Sequence, residues 1–136
     1  MIKIYTFPDK RFDFINLQLK SLKDFCKDDF ELIIMNNGSS TERIDAIKLE
    51  AEKNNLTHHF IENPIHSDPT IACAYPINQT LKKFIQQEKE ADLSIIIDSD
   101  MFLIQPFSFT DFVEDYEIAA VKQRRGDDIN YIWNGI

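Results

Sequence analysis

Three short apolar runs, Ile2–Phe7, Phe30–Met35 and Leu93–Ile97, and a segment that can form a further short strand, Thr57–Ile61, are separated by stretches whose apolar residues recur at helical spacing. This alternation constrains the fold more than any other feature of the chain. Ile15, Leu19, Leu22 and Cys26 mark a first helical stripe, and Ile44, Ile47 and Ala51 a second, opened by a capping box of Ser39 and Glu42. A third helix is expected to carry Ile77, Leu81, Phe84 and Ile85, with Pro76 near its start, where a missing N–H costs nothing. The order β-α-β-α-β-α-β makes an α/β, Rossmann-like architecture: a mostly parallel sheet flanked by helices, with right-handed crossovers. Beyond Asp100 the pattern changes. Phe102–Phe109 is apolar and aromatic around Pro106, Ile118–Val121 reads as another strand, and Gln123–Asp128 reads as a polar loop.

A chain that is 43% hydrophobic, with eleven Phe and only three Gly, has the material for a packed core. Its 136 residues fit one domain, and the abrupt ending inside the apolar segment Tyr131–Ile136 suggests a domain incomplete at its C-terminus. The net charge of -8 argues against a nucleic-acid partner, because an acidic surface repels phosphate backbones. A nucleotide diphosphate stays compatible with that charge if carboxylates hold a divalent cation, which reverses the local sign. The N-terminus reads as a strand rather than a signal peptide, and no run approaches the roughly 18 apolar residues of a membrane span. A soluble, cytoplasmic protein with no transmembrane segment is therefore expected. Cys26 and Cys73 read as buried free thiols rather than a disulfide.

In open parallel sheets, ligands bind beyond the carboxyl ends of the strands. Three polar clusters follow strands here, Thr6–Arg11, Asn36–Thr41 and Asp98–Asp100, and the topology should bring them to one sheet edge. The sharpest signal is Asp98-Ser99-Asp100 after an all-Ile run. In extended structure, side chains at i and i+2 share a face, so Asp98 and Asp100 can reach one hard cation, Mn²⁺ or Mg²⁺. The alternative is that one Asp caps a turn and the other is merely solvated. Asn36 and Asn37 can read the edge of a base, or simply build a turn and cap. Thr6 and Phe7 can supply a hydroxyl and an aromatic wall, Asn78 a phosphate contact, and Trp133-Asn134-Gly135 a plane and an amide for a sugar ring; ordinary strand, helix and core roles compete with each. His58, His59 and His66 lack metal-site companions at useful spacing, and the adjacent Arg124 and Arg125 read as solvated.

Taken together, these residues resemble the GT-A glycosyltransferases, especially the family 2-like members. The resemblance rests on Asn36-Asn37-Gly38-Ser39 after the second strand, on Ala72-Cys73-Ala74-Tyr75-Pro76-Ile77-Asn78 before the fourth, and on Ile95-Ile96-Ile97-Asp98-Ser99-Asp100. It covers nearly the whole chain. It implies a GT-A-like fold and transfer of a sugar from a nucleotide-diphosphate donor, UDP-sugar favoured, to an acceptor hydroxyl. It further implies that Thr6 and Phe7 border the base and that Asn37 stands where a carboxylate usually meets it. Asp98 would lie near the ribose and the metal, with Ser99 beside it in the nucleotide-sugar site, and Asp100 would be the principal metal ligand. Trp133, Asn134 and Gly135 would line the sugar and acceptor pocket.

The departures from the family pattern are specific. Asn replaces Asp at both positions before Gly38, and Ile77 stands where many members have a basic residue. Inverting members place their catalytic carboxylate well downstream of the D-x-D, yet only 36 residues follow Asp100, so the base is expected outside this chain. Other readings compete, among them a nucleotidyltransferase of related fold, although its usual Gly-rich loop is absent after the first strand. A haloacid-dehalogenase-like phosphatase would use Asp98 as nucleophile, and a non-catalytic nucleotide- or sugar-binding module would use the same cleft without transfer.

Overall fold

These four segments form parallel strands β1 (Ile2–Thr6), β2 (Phe30–Asn36), β3 (Thr57–Phe60) and β4 (Leu93–Ile97), in the sheet order β3-β2-β1-β4. They alternate with helices α1 (Ile15–Phe25), α2 (Thr41–Lys53) and α3 (Pro69–Lys83). A short helix, α4 (Phe109–Val113), and a separate antiparallel pair, β5 (Val121–Arg124) and β6 (Asn130–Trp133), follow, and single 3-10 turns lie at Phe12–Phe14 and Ile85–Gln87. The computed structural model describes residues 1–63, 69–124 and 130–133.

Register follows from matching apolar residues across the sheet. Ile4 on β1 lies opposite Leu32 on β2 and Ile95 on β4, so the centre of the sheet is aliphatic on three adjacent strands. Ile2, Ile4, Leu32, Ile34, Ile95 and Ile97 face Ile15, Leu19 and Leu22 of α1 and Ile47 and Ala51 of α2. The opposite face places Tyr5, Ile33, Met35 and Ile96 against Phe84 and Ile85, which follow α3. Ile4, Ile34 and Ile47 are wholly buried, and each such side chain contributes roughly 2 kcal/mol by leaving water. Helices on both faces explain why the two central strands read as continuous apolar runs rather than as an alternating pattern.

The segment after Asp100 returns over the C-terminal end of α1. The Lys27 amide donates to the Phe107 carbonyl at 2.9 Å, and the Phe107 amide donates to the Phe25 carbonyl at 2.9 Å. Asp28 then ties down α4: its carboxylate accepts from the Phe109 amide at 2.7 Å, from the Ser108 hydroxyl at 3.1 Å and from the Thr110 hydroxyl. Partial burial alone would raise the Asp28 pKa, but the bonds from Thr110, Phe109 and Ser108 outweigh it and the net shift is downward.

Several local expectations are corrected. The N-cap of α2 is Ser40, whose hydroxyl accepts from the Arg43 amide, because the Ser39 hydroxyl instead takes the Arg43 guanidinium. Helix α3 begins at Pro69, so that proline occupies the first helical position and Pro76 lies inside the helix. The later strand forms at Val121–Arg124 rather than Ile118–Val121, and Ile118 is among the most exposed apolar residues. Cys26 and Cys73 are free, but Cys26 is half-buried and Cys73 exposed, where burial was expected of both. Among the described residues, no helix is long and apolar enough to cross a membrane.

Candidate functional site

The direction in which successive strands are added to the sheet reverses at one place. From β1 the chain steps outward to β2 and β3, then α3 carries it back across to β4 on the other side of β1. The crevice beyond the carboxyl ends of β1 and β4 is the topological switch point, where open α/β sheets bind ligands. A cleft of about 450 Å³ lies there, within the size range of small-molecule sites. Phe7 and Asp9 reach it from the end of β1, Asn37 from β2, Asn63 from beyond β3, and Asp98, Ser99 and Asp100 from β4; Ala72, Cys73, Pro76 and Ile77 of α3 form the remaining wall.

The wall after β1 and β2 is a hydrogen-bonded unit. Asp9, at φ 21°, donates its amide to Asn37 Oδ1 at 2.9 Å, and its carboxylate accepts from the Ser39 amide at 2.9 Å. Arg43 of α2 stands 3.6 Å from the same carboxylate. Asn63 donates to the Asn37 carbonyl at 2.7 Å, which ties the exit of β3 into the group. Asn36 is buried and used internally: its amide donates to the Ile44 carbonyl at 2.8 Å, and its Oδ1 accepts from the Gly38 amide at 3.3 Å. Of the two asparagines, Asn36 therefore builds the turn and Asn37 lines the cleft.

On the opposite wall, Asp98-Ser99-Asp100 forms a turn rather than an extended strand end, closed by the Met101 amide donating to the Asp98 carbonyl at 3.1 Å. The geometric reason for grouping Asp98 with Asp100 is thus the turn and the shared cleft, not strand alternation. Gln18 of α1 fixes this turn from beneath, its Nε2 donating to the carbonyls of Asp98 at 2.8 Å and Met101 at 3.1 Å. Arg11 pairs with Asp13 at 3.0 Å and stacks 3.2 Å above the Phe14 ring. Its pKa is raised, chiefly by Asp13 and more weakly by Asp100, which sets a permanent cation near the acidic wall.

Other expected residues fall elsewhere. Thr6 is fully buried, does not line the cleft, and its hydroxyl has no hydrogen-bond partner among the described residues. Asn78 is exposed on α3 and also outside the cleft lining. His58 and His59 lie on β3; His59 packs 4.6 Å from Phe84, where burial and then the neighbouring His58 lower its pKa. Trp133 falls in β6 with only its backbone described, while Asn134, Gly135 and His66 lie outside the described residues. Asp9 and Gln18 were not singled out from sequence. The partners of Asp9 are 28 and 30 residues away, and those of Gln18 are 80 and 83 away, so no local pattern announces either.

Asp98 and Asp100 are hard oxygen donors on one cleft wall. Among the described residues, no group of three or more His, Cys, Asp or Glu forms a self-contained metal cage. Two carboxylates fit a Mg²⁺- or Mn²⁺-type ion, which commonly takes one or two protein carboxylates and completes its shell with water and phosphate oxygens.

Fold and cleft together define an α/β protein with a Rossmann-like, all-parallel four-stranded sheet and a carboxylate-bearing crevice at its switch point. Comparison with protein-family models, curated proteins and solved structures finds no match to the chain.

Proposed function

We propose that this chain is the nucleotide-sugar-binding part of a metal-dependent glycosyltransferase with a GT-A-like fold. The reading is carried by one observation: Asp98 and Asp100 line the same switch-point cleft as Phe7 and Asn37. A flat aromatic and an amide suit a base, while a pair of carboxylates opposite suits a diphosphate bridged by Mn²⁺ or Mg²⁺. A UDP-sugar is the favoured donor, and a hydroxyl compound the acceptor.

In this mechanism Phe7 offers its ring to the base, and Asn37, already held by Asp9 and Asn63, offers an amide fixed in place before the ligand arrives. Asp98 and Asp100 would hold the ion, whose chemistry is to neutralise the diphosphate as it leaves. The turn that carries them is fixed by Gln18, so little rearrangement is needed on binding.

A donor-binding module without transfer activity is the second reading, and a specific observation favours it. Among the described residues, the cleft lining contains no His or Glu, and the Asp9 carboxylate is engaged by Ser39 and Arg43. No described carboxylate or imidazole of the lining is thus left over as general base for the acceptor hydroxyl.

Calorimetric titration of UDP, with GDP as comparison, on the wild type and Asp100→Ala in the presence and absence of Mn²⁺ tests the site. The expected result is UDP binding that requires Mn²⁺ and is lost in Asp100→Ala. Absence of binding by either nucleotide under every metal condition overturns the reading.

A further inference from the structure

Gln18 is an anomaly on its own helix. The buried face of α1 comprises Ile15, Gln18, Leu19 and Leu22, and Gln18 is only 1% exposed. A glutamine at that depth needs a reason, because removing its amide from water is unfavourable unless the hydrogen bonds are replaced. For the Nε2 donor they are replaced from a single source. Both bonds from Nε2 go to backbone carbonyls of the turn that follows β4, Asp98 and Met101. The same helix reinforces the hold one turn further on: the Ser21 hydroxyl donates to the Gln18 carbonyl at 3.1 Å and accepts from the Leu103 amide at 3.2 Å. The chain from Asp98 to Leu103 is therefore pinned to α1 by Gln18 and Ser21 rather than by apolar packing alone.

We infer that Gln18 is a positioning residue whose amide sets the conformation of the Asp98–Met101 turn and thereby the placement of the Asp98 and Asp100 carboxylates at the cleft. The inference deepens the donor-site reading and rests on it for its functional consequence. Its structural content, control of the turn by Gln18, is independent of any ligand. Gln18 does not line the cleft, so its effect on binding is transmitted through the turn backbone. Partners that orient metal-binding side chains from behind typically alter metal affinity about 10- to 100-fold when removed.

The test pairs a ligand-free readout with a metal readout on Gln18→Met, which keeps approximate volume and removes the donor. Gln18→Asn, which keeps the amide but shortens its reach, serves if the first variant does not fold. Amide hydrogen exchange at Met101, which donates within the turn, is compared with exchange at Ile33 in the sheet core. Mn²⁺ alone is titrated into the wild type, Asp100→Ala and the Gln18 variant.

The expected result is at least tenfold faster exchange at Met101 with Ile33 unchanged, and Mn²⁺ affinity lowered by about tenfold or more. Unchanged Met101 exchange overturns the inference, as does wild-type Mn²⁺ affinity in a variant whose turn exchange is faster. Failure of the wild type to bind Mn²⁺ overturns the metal-site reading and the functional role given to Gln18 with it, while Met101 exchange still decides whether Gln18 controls the turn.

Discussion

The amide of Asp9 donates to Asn37 Oδ1 at 2.9 Å, joining the loop after β1 to the loop after β2 across one wall of the cleft. The Asp9 carboxylate returns the link by accepting from the Ser39 amide at 2.9 Å. Asn37→Ala is expected to cost about 1 kcal/mol, the net worth of a typical hydrogen bond. Asp9→Ala removes the reciprocal bond and the Arg43 pairing. Because the two residues share one network, the double variant should fall short of the summed losses by about 0.5 kcal/mol or more, read from urea unfolding of the four proteins. Strict additivity would show that the two loops are not coupled.

Gly38 is required by space rather than by backbone angle. A Cβ at this position would lie 2.6 Å from the Ile44 amide nitrogen and 2.9 Å from its side chain, since the first turn of α2 packs directly over the loop. Gly38→Ala should therefore destabilise the protein by about 1–3 kcal/mol, the usual cost of forcing atoms into a filled site. A denaturant midpoint equal to that of the wild type would show that α2 can shift freely.

How much of this was legible in the sequence depends on the range of the interaction. β1, β2 and β4 were visible because burial makes them nearly unbroken apolar runs, whereas the edge strand β3, Thr-His-His-Phe with both ends exposed, was visible only as a short β-prone segment before Asn63-Pro64. Phe7, Asn37, Asp98 and Asp100 were visible because parallel topology sends the loops after β1, β2 and β4 to the same edge, whereas Asp9, in the first of those loops, was not. Features decided by a choice between near neighbours were not: Ser39 and Ser40 are equally good caps by type, and only the position of the Arg43 side chain separates them. Pro76 was misplaced because a proline inside a helix is locally unfavourable. Here the helix continues through it, and the Thr80 hydroxyl donates to the Pro76 carbonyl at 2.9 Å.

The Lys3–Glu88 pair gives a pH prediction. The two side chains are 16% and 15% exposed, and Glu88 also accepts from the amides of Lys89 and Glu90. The Lys3 bond first, and these amides after it, lower the Glu88 pKa from 4.5 to about 2. A carboxylate whose folded pKa is depressed stabilises the fold above its unfolded pKa and loses that contribution as pH falls toward the folded one. Wild-type stability should accordingly drop between about pH 4.5 and about pH 2. In Glu88→Gln that part of the slope should be absent. Urea midpoints of both proteins across the window decide it, and parallel curves would count against the pairing.

Thr6→Val should raise stability. The Thr6 hydroxyl is buried at the end of a central strand and has no hydrogen-bond partner among the described residues. Exchanging it for a methyl group removes an unsatisfied polar atom while keeping the β-branched shape that suits a strand. A gain of about 1 kcal/mol in thermal or urea unfolding is the expected outcome. A loss would show that the hydroxyl is satisfied in solution.

The cleft is assembled from pieces that the chain delivers separately: Phe7, Asn37, Asn63, Cys73 and Asp98 come from five successive parts of the fold. A small molecule seated there acts as a clasp across segments that are otherwise joined through the sheet. The native population then depends on ligand concentration: at a hundredfold excess over its dissociation constant, such a molecule adds about 2.7 kcal/mol to the whole domain. Melting temperature thereby becomes a gauge of occupancy, and a panel of nucleotides or metals can be ranked by heating the protein, without an assay for any reaction.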